Sequence, residues 1–158
     1  MKVADWMNTH PITTHPDESV ATARGLLEKF RINQLPVVDQ WRLVGIVTDR
    51  DLRDAFPSVF SAAAASAGRG RAEMDPTRVR VSAVLTTNVL TVAPTDTVTH
   101  AAGLMRNERI GALPVVEDGR VVGVLTRSDV LAAFLDASDG RSEPVSLAAA
   151  AAAASGDP

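Results

Sequence analysis

The sequence predicts a mixed α/β (α+β) protein built from two copies of one small unit. Residues 3–56 align with residues 81–134 without a gap, and their identical positions are too many for chance. In both copies a helical stripe of apolar residues precedes two short β-branched runs, and a second helical segment follows them. The apolar residues of these runs are nearly continuous, which indicates strands that are covered on both faces.

The duplication divides the chain into four segments. The two repeats are expected at residues 1–56 and 79–136. Residues 57–78 break the pattern with glycine, proline and arginine, and we interpret them as a linker. Residues 137–158 form an alanine-rich tail that has nothing to pack against, so we expect it to be flexible.

The composition excludes several classes of protein. A hydrophobic fraction of 46% and a charged fraction of 22% are typical of globular domains. The net charge of −3 argues against a nucleic-acid partner, which favours a basic protein face. No apolar run approaches the roughly 18 residues that cross a bilayer, and the N-terminus lacks the apolar stretch of a signal peptide. We therefore expect a cytoplasmic protein without a membrane partner.

Each repeat opens with a short helical turn, which a brief extended piece follows. The turns are predicted at Val3–Met7 and Val81–Leu85, and the extended pieces at Ile12–Thr14 and Leu90–Val92. A proline two residues further on ends each extended piece.

The next helix of each repeat carries one apolar stripe. Asp17 and Thr95 are the predicted N-caps, because their side-chain oxygens can accept hydrogen bonds from the free amides of the first turn. Gly25 and Gly103 lie inside these helices at a cost of about 1 kcal/mol each, which predicts close helix packing there. The stripes consist of Val20, Ala23, Leu26, Leu27 and Phe30 in the first repeat and of Val98, Ala101, Leu104 and Met105 in the second.

A β-hairpin is predicted after each of these helices. Residues 35–38 and 43–47 are short apolar runs separated by a turn, and the second repeat has the same arrangement. Trp41 stands where the second repeat has the turn residue Gly119, so we expect the two turns to differ in shape. The helices that follow the hairpins are predicted at about Asp49–Phe56 and Arg127–Leu135.

Each hairpin ends in a motif, a threonine followed three residues later by an aspartate at a helix start. The motif is Thr48 with Asp51 and, 78 positions further on, Thr126 with Asp129. One interpretation is a capping box, in which the two side chains satisfy each other's backbone amides. The other is a nucleotide site. A carboxylate can accept hydrogen bonds from both hydroxyls of a ribose, while a threonine hydroxyl and free helix amides suit a phosphate.

Nothing in the sequence supports catalysis. We find no nucleophile–base pair, no cluster with metal-ligand spacing and no glycine-rich phosphate loop. Cysteine is absent, and His10, His15 and His100 lack the spacing of metal ligands, although His15 could contact a phosphate. Trp6 is expected in the core or at an interface. The sequence therefore predicts no enzyme activity, no metal site and no required cofactor.

The order of the elements and the two motifs resemble a tandem pair of CBS domains, the arrangement called a Bateman module. The resemblance is carried by residues 35–38 (Leu-Pro-Val-Val), by the glycine-hydrophobic-x-Thr-x-x-Asp stretch and by the recurrence of both. It covers residues 3–56 and 79–135. It implies that each repeat is a small βαββα unit, that the repeats pack through a pseudo-two-fold axis, and that the protein is a homodimer.

The resemblance also implies a function. CBS pairs bind adenosine-containing ligands such as AMP, ADP, ATP or S-adenosylmethionine, and report them to an effector protein by a conformational change. The expected function is therefore a regulatory nucleotide-binding module, similar to stand-alone bacterial CBS-domain proteins of acetoin utilisation. The alternative is a ligand-free scaffold for dimerisation or partner docking, in which the motifs only cap helices.

The family's contacts can be carried over by position. The motif residues and the arginines beside them would contact ribose and phosphate: Thr48, Arg50 and Asp51 in one site, and Thr126, Arg127 and Asp129 in the other. The adenine would lie in an apolar slot near the extended pieces. Its walls would be Ile12, Thr14, Leu35, Pro36 and Val37 in the first repeat and Leu90, Val92, Leu113, Pro114 and Val115 in the second.

Overall fold

A computed structural model of the protein describes residues 1–55 and 76–138. The chain forms two compact units, and neither coincides with a sequence repeat. The first unit comprises Ile12–Val89, and the second comprises Met1–Pro11 together with the chain from residue 90 onward. Each unit therefore holds the helices and hairpin of one repeat and the opening turn of the other. Most of the predicted tail, most of the predicted linker and the predicted helix end at Phe56 lie outside the described residues. The first two residues of the predicted tail, Ala137 and Ser138, belong to the last helix, so the tail was predicted to begin too early.

The elements follow the predicted order of helix, hairpin and helix. The first unit contains α1 (Val20–Phe30), β1 (Gln34–Asp39), β2 (Arg42–Thr48), α2 (Asp49–Ala55) and a 3₁₀ turn (Val81–Ala83). The second unit contains a 3₁₀ turn (Val3–Asp5), α3 (Val98–Asn107), β3 (Ala112–Glu117), β4 (Arg120–Thr126) and α4 (Arg127–Ser138). The predicted mixed α/β class is confirmed. No helix within the described ranges is long and apolar enough to span a membrane.

Each unit has its own apolar core, to which the exchanged opening turn contributes. Val81 is fully buried in the core of the first unit, and its amide donates to the carbonyl of Glu18 at 2.8 Å. Val3 is fully buried in the core of the second unit, and its amide donates to the carbonyl of Asp96 at 2.8 Å. Of the predicted apolar stripes, Phe30 lies outside the core because the last residue of α1 is 43% exposed.

The third strand predicted for each repeat is reduced to a single bridge. Thr14 forms a parallel bridge with Val37, and Val92 forms the equivalent bridge with Val115. The amide of Thr14 donates to the carbonyl of Pro36 at 3.0 Å. The extended piece of each repeat is therefore held against the hairpin by one residue.

The N-caps of the two long helices lie two residues later than predicted. Ser19 caps α1 by accepting from the amide of Thr22, and Thr97 caps α3 in the same way. The prediction of Asp17 and Thr95 is wrong because a separate turn intervenes after each proline. In the first unit that turn is closed by the bond from the Glu18 amide to the His15 carbonyl, at 3.0 Å.

The two hairpin turns have the same conformation, so the predicted difference in shape is wrong. Gln40 and Trp41 have φ angles of 47° and 69°, and their counterparts Asp118 and Gly119 have φ angles of 50° and 78°. A two-residue connection with both residues left-handed matches the right-handed twist of the paired strands. The strand twist therefore determines the conformation of both turns, even though a left-handed residue other than glycine costs about 1–2 kcal/mol.

The glycines that permit close packing are those of the motifs rather than those inside the helices. A β-carbon at Gly25 or Gly103 would have no other atom within 4 Å, so the predicted close helix packing is wrong. At Gly45 a β-carbon would lie 2.8 Å from the carbonyl oxygen of Thr86. At Gly123 a β-carbon would lie 2.8 Å from the carbonyl oxygen of Asn8. The exchanged segments bridge to β2 and β4 at these points, which leaves room only for glycine.

Candidate functional site

The two threonine–aspartate motifs lie where a strand passes directly into a helix. Thr48 is the last residue of β2, and Asp51 lies in the first turn of α2. Thr126 ends β4 in the same way, and Asp129 lies in the first turn of α4. All four residues are half-buried, so each pair is fixed by its element while remaining partly open to solvent.

In the first unit the motif forms a closed capping box. Asp51 Oδ2 accepts from the amide of Thr48 at 2.8 Å and from Thr48 Oγ1 at 2.7 Å. The amide of Asp51 donates back to Thr48 Oγ1 at 3.1 Å. This reciprocal pattern satisfies two amides that a helix start otherwise leaves without partners.

The second unit repeats this geometry. Asp129 Oδ2 accepts from the amide of Thr126 at 2.7 Å and from Thr126 Oγ1 at 2.6 Å. The amide of Asp129 donates to Thr126 Oγ1 at 3.3 Å. In both units the threonine amide and the threonine hydroxyl donate their hydrogen bonds to Oδ2 of the aspartate. The other carboxylate oxygen, Oδ1, takes no part in capping. Each box therefore presents one carboxylate oxygen in a fixed orientation.

The arginines beside the two motifs are placed differently. Arg50 is exposed on the first turn of α2. Arg127 is the first residue of α4, and its Nε donates to the carbonyl of Ile110 at 3.0 Å. Arg127 also lines a groove between α3 and α4. The two motifs thus have equivalent backbone positions, but the arginines beside them differ in position and in hydrogen bonding.

The predicted adenine walls are largely core residues. Leu35 and Val37 in β1 are fully buried and belong to the core of the first unit, as Leu113 and Val115 do in the second. Because side chains alternate along a strand, the prolines between them lie on the opposite strand face. These two prolines, Pro36 and Pro114, are also fully buried, whereas Ile12 is half-buried and Leu90 is 42% exposed.

Among the described residues of the first unit, Thr14 has a buried hydroxyl without a partner. Thr14 is 5% exposed, and its Oγ1 has no hydrogen-bond partner in the structure. The equivalent residue of the second unit is Val92, which is 2% exposed and has no polar group to satisfy. The two predicted slots therefore differ in polarity at the residue that bridges to the hairpin.

His15 is surrounded by acidic side chains. Its Nε2 lies 3.4 Å from Asp39 Oδ1, and its Nδ1 accepts from the amide of Asp17 at 3.1 Å. Asp17 in turn pairs with Arg80, whose Nη1 lies 2.9 Å from its Oδ1. In the described ranges no group of histidine and carboxylate side chains is arranged to hold a metal ion.

The two tryptophans differ in burial. Trp6 is half-buried and packs against the core of the second unit, as expected for a core or interface residue. Trp41 is 76% exposed at the tip of the first hairpin.

Comparison with known proteins identifies the class to which this architecture belongs. The family model described as "CBS domain" matches residues 3–58 and again residues 81–136. The chain belongs to the CBS-domain family. Its two matches make it a tandem CBS pair, which confirms the resemblance of the repeats.

Three solved structures of CBS-domain proteins are similar to this chain. One is a proposed acetoin utilization protein from Vibrio cholerae, with a TM-score of 0.72, 31% identity, and coverage of 91% of this chain and 98% of that chain. A CBS domain pair in complex with 5′-methylthioadenosine and S-adenosyl-L-methionine has a TM-score of 0.66 and 32% identity, covering 87% and 98%. The protein CBSX2 in complex with AMP has a TM-score of 0.70 and 30% identity, also covering 87% and 98%.

Among curated proteins, the chain is similar to part of a much longer enzyme. It is 33% identical over 126 residues to inosine-5′-monophosphate dehydrogenase of Staphylococcus epidermidis. The match covers 77% of this chain but only 22% of the dehydrogenase. The chain therefore spans about a fifth of the length of the curated relatives that it matches first.

Proposed function

We propose that this chain is a regulatory module that binds an adenosine-containing ligand at its threonine–aspartate boxes. The observation that carries the proposal is the pair of boxes, each of which holds one carboxylate oxygen outside the cap. Two similar CBS structures contain AMP or S-adenosyl-L-methionine with 5′-methylthioadenosine, which supports this class of ligand. The function is one of binding rather than of catalysis, and the bound ligand acts as a signal to an effector protein.

The geometry suggests how each residue would take part. The threonine hydroxyl donates a hydrogen bond to the aspartate carboxylate and accepts one from the aspartate amide, so it is already engaged within the box. The oxygen that remains is Oδ1 of Asp51 or Asp129, which can accept from a ribose hydroxyl. Arg50 is the positive charge nearest in sequence to the first box and is exposed, so it is available to a phosphate.

The two sites are expected to differ in affinity. The first unit has at Thr14 a hydroxyl that is buried and has no partner. Val92 offers no such group in the second unit. The two slots therefore differ in polarity, and we expect them to differ in affinity for the base.

A conformational signal requires that the ligand bind one state of the protein better than another.

The proposed assembly is a homodimer, because α4 exposes three large apolar side chains that a second copy could cover. These are Leu131 at 60%, Phe134 at 40% and Leu135 at 58% exposure. Sedimentation velocity at micromolar concentration should give the mass of two chains, and a single-chain mass would contradict the dimer.

The test of the binding proposal is a calorimetric titration of the full chain with AMP, ATP, S-adenosylmethionine and NADH. Saturable binding of at least one adenosine compound, with inosine or ribose phosphate binding more weakly, is the expected result. Bound ligand should also raise the melting temperature as RT ln(1 + [L]/Kd) predicts. The absence of binding by all four compounds at millimolar concentration would contradict the proposal.

A scaffold that binds no ligand is the second candidate, because the closed boxes fully account for the motif as a helix cap. A scaffold would show no calorimetric signal with any nucleotide. It would still form the dimer, so sedimentation and calorimetry together separate the two functions.

A further inference from the structure

A groove in the second unit is lined by three arginines, of which only Arg127 is also a predicted phosphate contact of the second nucleotide site. It lies between α3 and α4 and has a volume of about 270 Å³. Its lining consists of Ala102, Met105, Arg106, Arg109, Arg127 and Val130. The exposed lining is mostly apolar, so the arginines contribute mainly their aliphatic stems to it. Arg106 lies at the end of α3, Arg109 in the loop after it and Arg127 at the start of α4.

The three positive charges are not neutralised by the protein around them. Within residues 1–55 and 76–138, neither Arg106, Arg109 nor Arg127 forms an ion pair with a carboxylate. Arg127 is held in place by its Nε, which donates to the carbonyl of Ile110, so its two terminal nitrogens are left for other partners. Like charges gathered around one small groove repel each other, and a bound anion removes this repulsion.

A partly equivalent groove of the first unit, which shares the positions of Ala102, Arg106 and Val130, shows that the arginines are not a general feature of the repeat. That groove lies between α1 and α2 and has a volume of about 220 Å³. Its arginine, Arg24, is neutralised by Glu28, with Nε and Oε1 3.1 Å apart. Glu28 stands at the position of Arg106, and Asp49, which pairs with Arg53, stands at the position of Arg127. The charge of the second groove is therefore specific to that unit.

The chemistry of the groove selects a class of ligand. Guanidinium groups bind carboxylates and phosphates by paired hydrogen bonds, and three of them favour a group with several anionic oxygens. The apolar lining, to which Ala102, Met105 and Val130 contribute, favours an organic body over a bare inorganic ion. We propose that this groove binds a small organic anion, a carboxylate or phosphate monoester on an apolar body.

The probes are chosen to separate the charge from the apolar body. Phenyl phosphate and benzoate carry both features, inorganic phosphate carries only the charge, and benzyl alcohol carries only the body. The full chain, labelled for NMR, is titrated with each probe while the resonances of the groove residues are followed. Phenyl phosphate or benzoate should bind about tenfold more tightly than either single-feature probe, and whichever binds better identifies the anionic group.

Arg109 provides a variant that separates binding from folding. Its φ angle is 56°, a left-handed conformation that glycine adopts without strain. Arg109→Gly therefore removes one charge of the groove while the melting temperature stays the same or rises. We expect this variant to bind phenyl phosphate about tenfold more weakly.

Arg31 provides the matched control. It is the equivalent residue of the first unit, with a φ angle of 52°, and the acidic Glu28 and Asp49 stand at the positions of Arg106 and Arg127. Arg31→Gly should relieve the same strain and leave phenyl phosphate binding unchanged. Equal loss of binding in both variants, or no shift of the groove resonances with any anionic probe, would overturn the proposal. Displacement of phenyl phosphate by AMP at one-to-one stoichiometry would also overturn it, because the groove would then be part of the nucleotide site.

Discussion

At the scale of single residues, the motif shows how one pair of side chains can serve two purposes. Sequence alone left capping and ligand binding as alternatives for Thr48 and Asp51, because a threonine three residues before an aspartate suits both. The structure assigns the cap to Oδ2 and leaves Oδ1 outside it. The pairing was predictable because it is local. The unpartnered hydroxyl of Thr14 was not, because it depends on which distant residues enclose it.

The first hairpin turn provides a prediction at this scale. Trp41 is exposed and has a φ angle of 69°, so replacing it with glycine removes strain without removing a buried contact. Trp41→Gly should raise the free energy of unfolding by about 1 kcal/mol. Urea denaturation followed by circular dichroism measures the change.

The matched control is the equivalent residue of the other turn. Gly119 has a φ angle of 78°, so Gly119→Ala should lower the free energy of unfolding by about 1 kcal/mol. A Trp41→Gly variant that is less stable than the wild type would show that the tryptophan makes a stabilising contact and that our account of the turn is wrong.

At the scale of elements, helices and hairpins were predictable because their apolar spacing is a local property. The helix starts were misplaced because Asp17 and Ser19 are both good caps, and a turn closed by backbone bonds decides between them. The glycines were misinterpreted for another reason. A glycine such as Gly25 signals either close packing or mere tolerance, and only the neighbouring elements show which one applies.

The glycines of α1 and β2 give opposite predictions. A β-carbon at Gly25 meets no other atom, so Gly25→Ala should raise the free energy of unfolding by about 0.5–1 kcal/mol through helix propensity. A β-carbon at Gly45 would collide with the side chain of Leu85 and lie 2.8 Å from the carbonyl oxygen of Thr86. Gly45→Ala should therefore destabilise the protein by about 1–3 kcal/mol. Thermal unfolding of both variants measures the contrast, and a destabilised Gly25→Ala variant would contradict it.

At the scale of the whole molecule, the main feature that the sequence did not predict is the exchange of the opening turns. The alignment of residues 3–56 with 81–134 shows which positions correspond, but it does not show with which copy each turn packs. Local patterns predict the turns themselves equally well in either arrangement. The exchange makes each compact unit depend on residues from both repeats, with Val81 in the first core and Val3 in the second.

This exchange predicts where a core variant acts. Val81→Ala should lower the stability of the first unit by about 2 kcal/mol, because it leaves a cavity beside α1 and the first hairpin. Hydrogen exchange should therefore lose protection in β1 and β2. Ser82→Ala, at the neighbouring exposed residue, is the control and should change nothing. Loss of protection confined to α3 and β3 would mean that the opening turn packs with its own repeat.

The proposed binding function depends on a carboxylate oxygen that is held by a cap and is available to a ribose. An asparagine can keep the cap through its oxygen, but its amide nitrogen, in the place of Oδ1, cannot accept a hydrogen bond. The most direct measurement is therefore the AMP-dependent rise in melting temperature of the Asp51→Asn/Asp129→Asn double variant beside the wild type. We predict that the double variant melts near the wild-type temperature without AMP and gains little when AMP is added, whereas the wild type gains in proportion to ligand excess. An equal gain in both proteins would contradict the central claim.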